Sequence, residues 1–383
     1  MKTAFKSKPT FIKSCPKRLK INKLRWIIPL ILILISAAVL IASRASTDFA
    51  DWFGFNIYPV FSGIGSRLWG LFPFSAGELF VILFVLGTLT GLVCLIIYVR
   101  HRRGQRIRAF INGFSWAVCA ASVLFFLVTL NCLAGYNRTP FSEYSGLTLT
   151  EYTAEELKGL TMAIIEKANK AVNEVELNGE GRPVKPGDFN RLACESMEKA
   201  AEKYEVLKAY YPQPKAVRAS SVMSSFNLAG IYFPVTVEAN YNNSMPVSSQ
   251  GFTACHELSH LSGFIREDEA NYIAFIACRE SDSPYFRYSG YLDALTYALN
   301  AYRTVANDDE YYGLTALIDP LILSEYGYRN EYWSPYRKKV TYKVSSTVND
   351  AYLKANNQTD GTKSYGRVVD LMLAEWKAND GKI

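Results

Sequence analysis

Histidine is scarce in this sequence: the 383 residues contain three, at positions 101, 256 and 260. His101 lies in an arginine-rich segment far from the other two, so a metal site built from three imidazoles is excluded. Cysteine gives little evidence of disulfide bonds. The polar part of the chain holds three cysteines, an odd number without close pair spacing, namely Cys194, Cys255 and Cys278. We therefore expect no disulfide framework.

Acidic residues are missing from two short segments. Residues 1–25 carry nine Lys or Arg and no acid, and residues 100–108 carry five Arg and no acid. Without these fourteen cations, the net charge of +7 becomes −7 for the rest of the chain. A nucleic-acid-binding domain would need a basic patch on its folded part, so the sequence argues against nucleic acid as a partner.

Three long runs lack charge almost completely: Trp26–Ser43, Leu79–Val99 and Phe110–Gly135. Each is close to the roughly 20 residues that cross about 30 Å of hydrocarbon, so residues 26–135 are expected to form a three-helix membrane anchor in the lipid bilayer. The positive-inside rule then puts the basic segment 1–25 in the cytoplasm and everything after about Tyr136 outside it. A cleaved signal peptide is the alternative for the first run, but its long basic lead favours an anchor.

The segment 44–78 between the first two runs is rich in aromatic residues. Amphipathic rings favour the headgroup layer, so we expect this outer loop to lie on the outer leaflet as an anchor. Guidance of a lipid or membrane-buried substrate is the alternative role. The rings belong to Trp52, Phe53, Phe55, Tyr58, Phe61, Trp69, Phe72 and Phe74.

Residues 136–383 are polar and tyrosine-rich, and they predict one mainly helical extracytoplasmic α+β domain. Thr153 and Glu156 form a capping box that begins its first long helix. The most strand-like stretch is Ile231, Tyr232, Phe233, Pro234, Val235, Thr236 and Val237. Pro234 has no amide hydrogen to donate, which confines this strand to a sheet edge.

The motif that carries chemistry is His256-Glu257-Leu258-Ser259-His260, an HExxH. On a helix, residues four apart share one face, so both imidazoles can bind a single Zn²⁺ ion while Glu257 acts on its water. Catalytic zinc takes three protein ligands, and with no third imidazole the remaining one must be a carboxylate. Gly263 can end the helix and let a second one begin near Arg266, with acidic residues in its first turn.

These features resemble the gluzincin metallopeptidases, in which a glutamate on the next helix completes the zinc site. In that family an edge strand ahead of HExxH pairs with the extended substrate, so the resemblance implies this role for the strand at 231–237. An ordinary edge strand is the alternative. The segment is most similar to soluble bacterial peptidases that cut phage-type repressors and carry E-x-x-A-N on that helix. Matched to Glu267-Asp268-Glu269-Ala270-Asn271, this resemblance implies Glu267 as the third ligand and Asn271 as its supporting neighbour. Glu269 is the alternative ligand. It is the less favoured of the two, because an acidic residue at a helix start is commonly only a solvated cap.

The whole chain, including Pro73–Glu78 and Asn349–Leu371, is also similar to an uncharacterised family of bacterial membrane proteins, domain of unknown function 3810. Together the residues predict a multi-pass membrane protein whose zincin-like (gluzincin) domain hydrolyses a polypeptide or cell-wall peptide at the outer membrane face. The alternative is a catalytically silent scaffold that retains a structural zinc. The sequence holds no signal for the oligomeric state.

Overall fold

The structure is a computed structural model that describes residues 19–356, 358 and 367–383. The cytoplasmic assignment of residues 1–25 therefore falls mostly outside the described residues. The described part is mainly helical, and its α-helices in chain order are α1 Leu24–Ala45, α2 Thr47–Asn56, α3 Tyr58–Gly70, α4 Ala76–His101, α5 Arg106–Asn131, α6 Phe141–Tyr144, α7 Ala154–Val172, α8 Phe189–Lys203, α9 Ser220–Ser225, α10 Val247–Leu261, α11 Glu267–Glu280, α12 Pro284–Tyr302, α13 Asp308–Thr315, α14 Pro320–Arg337, α15 Val340–Ala355 and α16 Val368–Ala378. The strands are β1 Lys215–Val217, β2 Gly230–Phe233 and β3 Glu238–Asn242.

Three of these helices, α1, α4 and α5, are long and apolar enough to cross a membrane. Three helices of the expected length and apolar composition are therefore present, although their ends differ from the expected ones. The Ser75 side chain caps α4 by accepting a hydrogen bond from the Glu78 amide, so α4 begins three residues before Leu79. At the other end of the anchor, α5 stops at Asn131, and Leu133–Asn137 form a short 3-10 helix instead of continuing the span to Gly135.

The aromatic outer loop is folded into α2 and α3. Trp52, Phe55 and Phe61 are exposed, whereas Phe53 and Tyr58 are buried against the end of α5 and the chain that follows it. Part of this segment thus packs against the protein itself, in addition to any contact with lipid.

A three-stranded sheet has the strand order β1-β3-β2, and its central strand contacts the first turn of α4. β1 pairs with β3 in parallel, and β2 pairs with β3 in antiparallel fashion. Within this sheet β2 is an edge strand, as expected. The expected strand over Ile231–Val237 is wrong for its second half, because Pro234–Val237 form the turn into β3.

The early end of β2 has a local cause. Pro234 lacks an amide hydrogen for the ladder, and Val237 adopts a left-handed backbone with φ of +52° that reverses the chain. Thr236 lies inside the turn, where its amide donates to the Phe233 carbonyl and its hydroxyl to Glu238. Val235, Thr236 and Val237 therefore cannot pair with a substrate as strand residues.

Two carboxylates join the sheet to the amino-terminal end of α4. Glu238 of β3 accepts hydrogen bonds from the amides of Ala76 and Gly77 in the first turn of α4, and it is also paired with buried Lys215. In the other direction, Glu78 of α4 accepts hydrogen bonds from the backbone amides of residues 218 and 219, just after β1. These contacts use the helix N-terminus, where carboxylates are favoured, to hold the sheet at the end of a membrane helix.

The large hydrophobic core lies on the other side of the sheet, around α7, α8, α10, α11, α12 and α16. The capping box of Thr153 and Glu156 begins α7 as expected, and Leu157, Leu160 and Ile164 follow on its buried face. α10 and α11 are therefore surrounded by packed helices, which fixes the residues that they carry.

Candidate metal centre

The HExxH motif lies in the last two turns of α10. His256 and His260 are one above the other on the same face, as residues four apart must be. Gly263 then adopts a left-handed backbone with φ of +96°, and its missing side chain leaves space that the buried Arg138 guanidinium occupies. The reversal brings Glu267, the first residue of α11, back to the two histidines.

Three potential ligand atoms converge at this point. His256 Nε2 lies 3.1 Å from His260 Nε2 and 3.2 Å from Glu267 Oε2, and His260 Nε2 lies 3.8 Å from the same oxygen. Ligands about 2.0–2.1 Å from a tetrahedral zinc ion are separated by roughly 3.3 Å, so the three atoms fit one ion with little rearrangement. The side chains are 9–15% exposed, which leaves a narrow opening.

Both histidines face the ligand position through Nε2, and their other nitrogen lies toward the protein. His260 Nδ1 is 2.9 Å from the Phe264 carbonyl, to which it can donate a hydrogen bond. Burial and the nearby His256 lower the pKa of His260 to about 4. His260 is therefore a neutral imidazole at neutral pH, which is the form that binds a metal.

Asn271 occupies the position expected from the E-x-x-A-N pattern. Asn271 lies on α11, is buried, and neighbours His256. Its side chain contributes to raising the pKa of His256. Burial opposes the charged form of His256, but Glu267, Glu257 and Asn271 together outweigh burial and raise the pKa of His256. His256 Nδ1 and Asn271 Nδ2 are both buried without a hydrogen-bond partner, so a half-turn of the amide would offer Nδ1 an acceptor oxygen.

Glu257 is buried beside the histidines and does not belong to the converging group. Its side chain packs on Gly230 of β2, where any Cβ would collide with the Glu257 carboxylate and with Thr253. Burial raises the pKa of Glu257 to about 8, although the charge of His256 and the backbone amide of Tyr232 act in the opposite direction. The edge strand thus holds the Glu257 carboxylate next to the ligand position.

Glu269, the alternative ligand, does not lie with the histidines. Its carboxylate accepts hydrogen bonds from the Phe141 amide and from Arg266, on the side of α11 away from the converging atoms. Burial raises the pKa of Glu269 to about 7. Its contacts join α6 to α11, so Glu269 has a structural role.

The open edge of β2 faces the same region. Asn242 donates its amide hydrogen to the Ala229 carbonyl, and bonded pairs alternate along an antiparallel ladder. With the observed register, Ile231 and Phe233 bond to β3, whereas the backbone groups of Gly230 and Tyr232 point away from it. Gly230, Ile231, Tyr232 and Phe233 are thus the part of the expected substrate strand that the structure retains.

Residues from the membrane part surround the centre, and the sequence did not reveal them. The Tyr58 hydroxyl donates to the Leu261 carbonyl at 2.8 Å, and the Tyr232 hydroxyl donates to the Asn131 carbonyl at the end of α5 at 3.0 Å. Cys132, Tyr136 and Tyr352 lie near Glu267, whose charge contributes to raising the pKa of all three after the larger effect of burial. No local pattern connects residues that are 85 to 203 positions apart.

Comparison with known proteins gives one match. A family model described as a protein of unknown function (DUF3810) matches residues 54–373, which include residues 54–78 of the aromatic loop, two of the three apolar helices and the converging residues. No curated protein and no solved structure matches the chain.

Proposed function

The chain belongs to the DUF3810 family, and we propose that it is a membrane-anchored, zinc-dependent metallopeptidase of the gluzincin-like type that hydrolyses peptide bonds at the outer face of the cytoplasmic membrane. The observation that carries this proposal is the convergence of His256, His260 and Glu267 within 4.8 Å of one another, with Glu257 buried beside them.

The donor set favours catalysis over a structural site. Structural zinc sites are usually closed by four Cys or His ligands, whereas two imidazoles and one carboxylate leave a position open. Zinc bound there would act as a Lewis acid and lower the pKa of a water molecule to about 7. We propose that His256, His260 and Glu267 are its ligands and that Asn271 orients His256.

Glu257 would act as the general base and then as the general acid. In this mechanism its carboxylate takes a proton as water attacks the scissile carbonyl carbon, and it returns that proton to the nitrogen as the C–N bond breaks. The packing of Glu257 against Gly230 restricts the carboxylate to the neighbourhood of the ligands. Preorganisation of this kind reduces the motion needed in the transition state.

The open edge of β2 supports a polypeptide substrate. An extended peptide could pair with the outward-facing backbone groups of Gly230 and with the Tyr232 carbonyl, while the Tyr232 amide faces Glu257. Tyr232 also contacts the end of α5, so a peptide held there would lie close to the membrane surface. We therefore propose an exposed or unfolded membrane-proximal segment, or a cell-wall peptide, as the substrate class.

The orientation in the membrane is part of the proposal. The nine cations in residues 1–25 and the five in residues 100–108 both favour the cytoplasmic side, which would place α5's end and the centre outside. The alternative function is a membrane-anchored scaffold with a structural zinc, and it requires the same ligands without hydrolysis.

Metal content of the purified full-length chain tests the ligand set. We expect about one zinc per chain in the wild type, and a large loss of zinc in Glu267→Gln. Glu269→Gln is the matched control, because Glu269 is on the same turn of α11 but bonds to Phe141 and Arg266. Plasma emission spectrometry that found zinc lost in Glu269→Gln and kept in Glu267→Gln would contradict the assignment.

A further inference from the structure

Helix α15 carries an exposed apolar stripe. Val340, Val344 and Val348 are 76%, 52% and 63% exposed, and Tyr352 continues the same row at 39%. Residues four apart lie on one side of a helix, so these side chains form a single strip along α15. The described residues leave the three valines largely uncovered, whereas the Tyr352 ring meets the Tyr136 ring edge-on.

Thr341, Ser345 and Asn349 form a half-buried row on the side of α15 that faces the protein, and the row ends at the fully buried Leu353. A helix packed between protein and water usually has its apolar side inward and its polar side outward. The first three turns of α15 instead place polar residues inward and leave three valines outward, among the exposed Lys343, Ser346 and Thr347. Exposed valines beside inward polar residues indicate that the outward side contacts more than bulk water.

Positive charge accumulates at the start of α15. Arg337, Lys338, Lys339 and Lys343 are exposed, and no acidic residue occurs in residues 332–349. An apolar stripe combined with basic residues is the pattern of helices that lie in the interface of a membrane with anionic lipids. Tyr332, Trp333 and Tyr336, which pack on one another just before α15, are of the residue types enriched in the headgroup layer.

Both ends of α15 are held near the outer ends of the membrane helices. At its carboxyl end, the Ala355 carbonyl accepts a hydrogen bond from Arg44 of α1, and the Tyr352 hydroxyl lies 3.4 Å from Cys132 Sγ, directly after α5. At its amino end, Thr341 donates to the Ser225 carbonyl of α9 at 2.5 Å. The segment that begins α9 is itself bonded to Glu78 of α4.

We propose that α15 is an interfacial helix that lies along the outer ends of α1, α4 and α5, with the valine stripe in the headgroup and acyl boundary and the cations against anionic lipid phosphates. The occupant of the stripe is the lipid surface. This inference does not depend on zinc, on hydrolysis, or on which side of the membrane carries the domain, so it can fail while the proposed function holds.

A fluorescent amino acid at two positions of the full-length chain tests the proposal. Position 344 lies in the stripe, and position 346 is the matched control, because residues two apart point about 160° away from each other and Ser346 is also exposed. Each variant is placed at one copy per nanodisc, in phosphatidylcholine with or without phosphatidylglycerol. A quencher is attached to the lipid acyl chains near the headgroup.

We expect blue-shifted emission at position 344 and quenching at least about threefold stronger than at position 346, as for a side chain at the acyl boundary. Neutral discs should weaken quenching at position 344, and so should replacement of Arg337, Lys338 and Lys343 by Gln in anionic discs. Equal quenching at both positions would overturn the proposal. Blue-shifted but unquenched emission at position 344 would also overturn it, because protein or substrate would then cover the stripe.

Discussion

Glu375 of α16 lies in a densely bonded buried ion cluster, and it provides a quantitative prediction. Its carboxylate accepts two hydrogen bonds from the Arg279 guanidinium, both at 2.8 Å, one from Lys203 at 3.0 Å and one from the Tyr272 hydroxyl at 2.9 Å. Arg279 and Tyr272 are on α11, the helix that begins with Glu267. The cluster therefore holds the last helix against the one that carries the proposed third ligand.

The size of the effect follows from the pKa of Glu375. Burial raises this pKa, but the hydrogen bonds and charges of Arg279 and Lys203 outweigh burial and lower it to about 2, from an ordinary value of 4.5. Each pKa unit is worth about 1.36 kcal/mol, so the ionised carboxylate stabilises the docked helix by about 3 kcal/mol at neutral pH. Because the folded-state pKa is the lower one, this stabilisation is complete above about pH 4.5 and is lost as the pH falls toward 2.

Glu375→Gln should remove this stabilisation at neutral pH. We expect the amides of α16 to exchange hydrogen about two orders of magnitude faster than in the wild type at pH 7, after correction for intrinsic rates. The wild type itself should lose protection between about pH 4.5 and 2, and the variant should not. The measurement is hydrogen exchange with mass spectrometry on the full-length chain in nanodiscs.

Glu280→Gln is the matched control. Glu280 pairs with the same two cations, at 3.0 Å from Arg279 and 3.8 Å from Lys203, but its side chain is 38% exposed. Exposed ion pairs contribute about 0–1 kcal/mol, so exchange in α16 should change by less than about fivefold. Equal acceleration in the two variants, or none in Glu375→Gln, would refute the reasoning from burial and pKa.

Three further predictions concern the centre and the topology. Gly230→Ala should keep zinc but lower turnover at least about tenfold, because the new Cβ displaces the Glu257 carboxylate; unchanged turnover would contradict this role of the edge strand. Asn271→Leu should weaken zinc affinity about 10- to 100-fold in a chelator competition, since leucine cannot offer His256 Nδ1 the acceptor oxygen that a half-turn of the Asn271 amide would supply; unchanged affinity would remove Asn271 from the site. Alkaline phosphatase fused after Ile383 should be active and a fluorescent protein there dark; the opposite pattern would place the centre in the cytoplasm.

The sequence predicted the centre where the signal was local. HExxH spacing fixes the helix face, Gly263 permits the reversal, and the acidic start of the next helix supplies a carboxylate within seven residues of His260. The choice between Glu267 and Glu269 came from a resemblance, and the structure brings Glu267 to the histidines. The three apolar helices were equally accessible, because hydrophobic length alone marks them.

The contacts that place the centre against the membrane part were not predictable in this way. Tyr58 and Leu261 are 203 positions apart, and Tyr232 and Asn131 are 101 apart, so neither pair leaves a periodic signal. The strand prediction for Thr236 and its neighbours was wrong for a different reason. Their β-branched composition favours a strand, but the turn after Pro234, which the left-handed Val237 completes, overrides that propensity.

The central claim is that Glu257 performs proton transfer at a bound zinc ion, and Glu257→Gln tests it most directly. Glutamine is nearly isosteric and Glu257 is not among the converging ligand atoms, so the variant should keep about one zinc per chain while hydrolysis falls by at least ~10². Zinc and peptide hydrolysis are measured on the same preparations, with membrane proteins and cell-wall peptides of cells expressing either form compared to find the substrate. His260→Ala should instead lose zinc and hydrolysis together. If Glu257→Gln keeps both its zinc and full hydrolysis of every substrate that the wild type cleaves, the peptidase mechanism is wrong and the scaffold function takes its place.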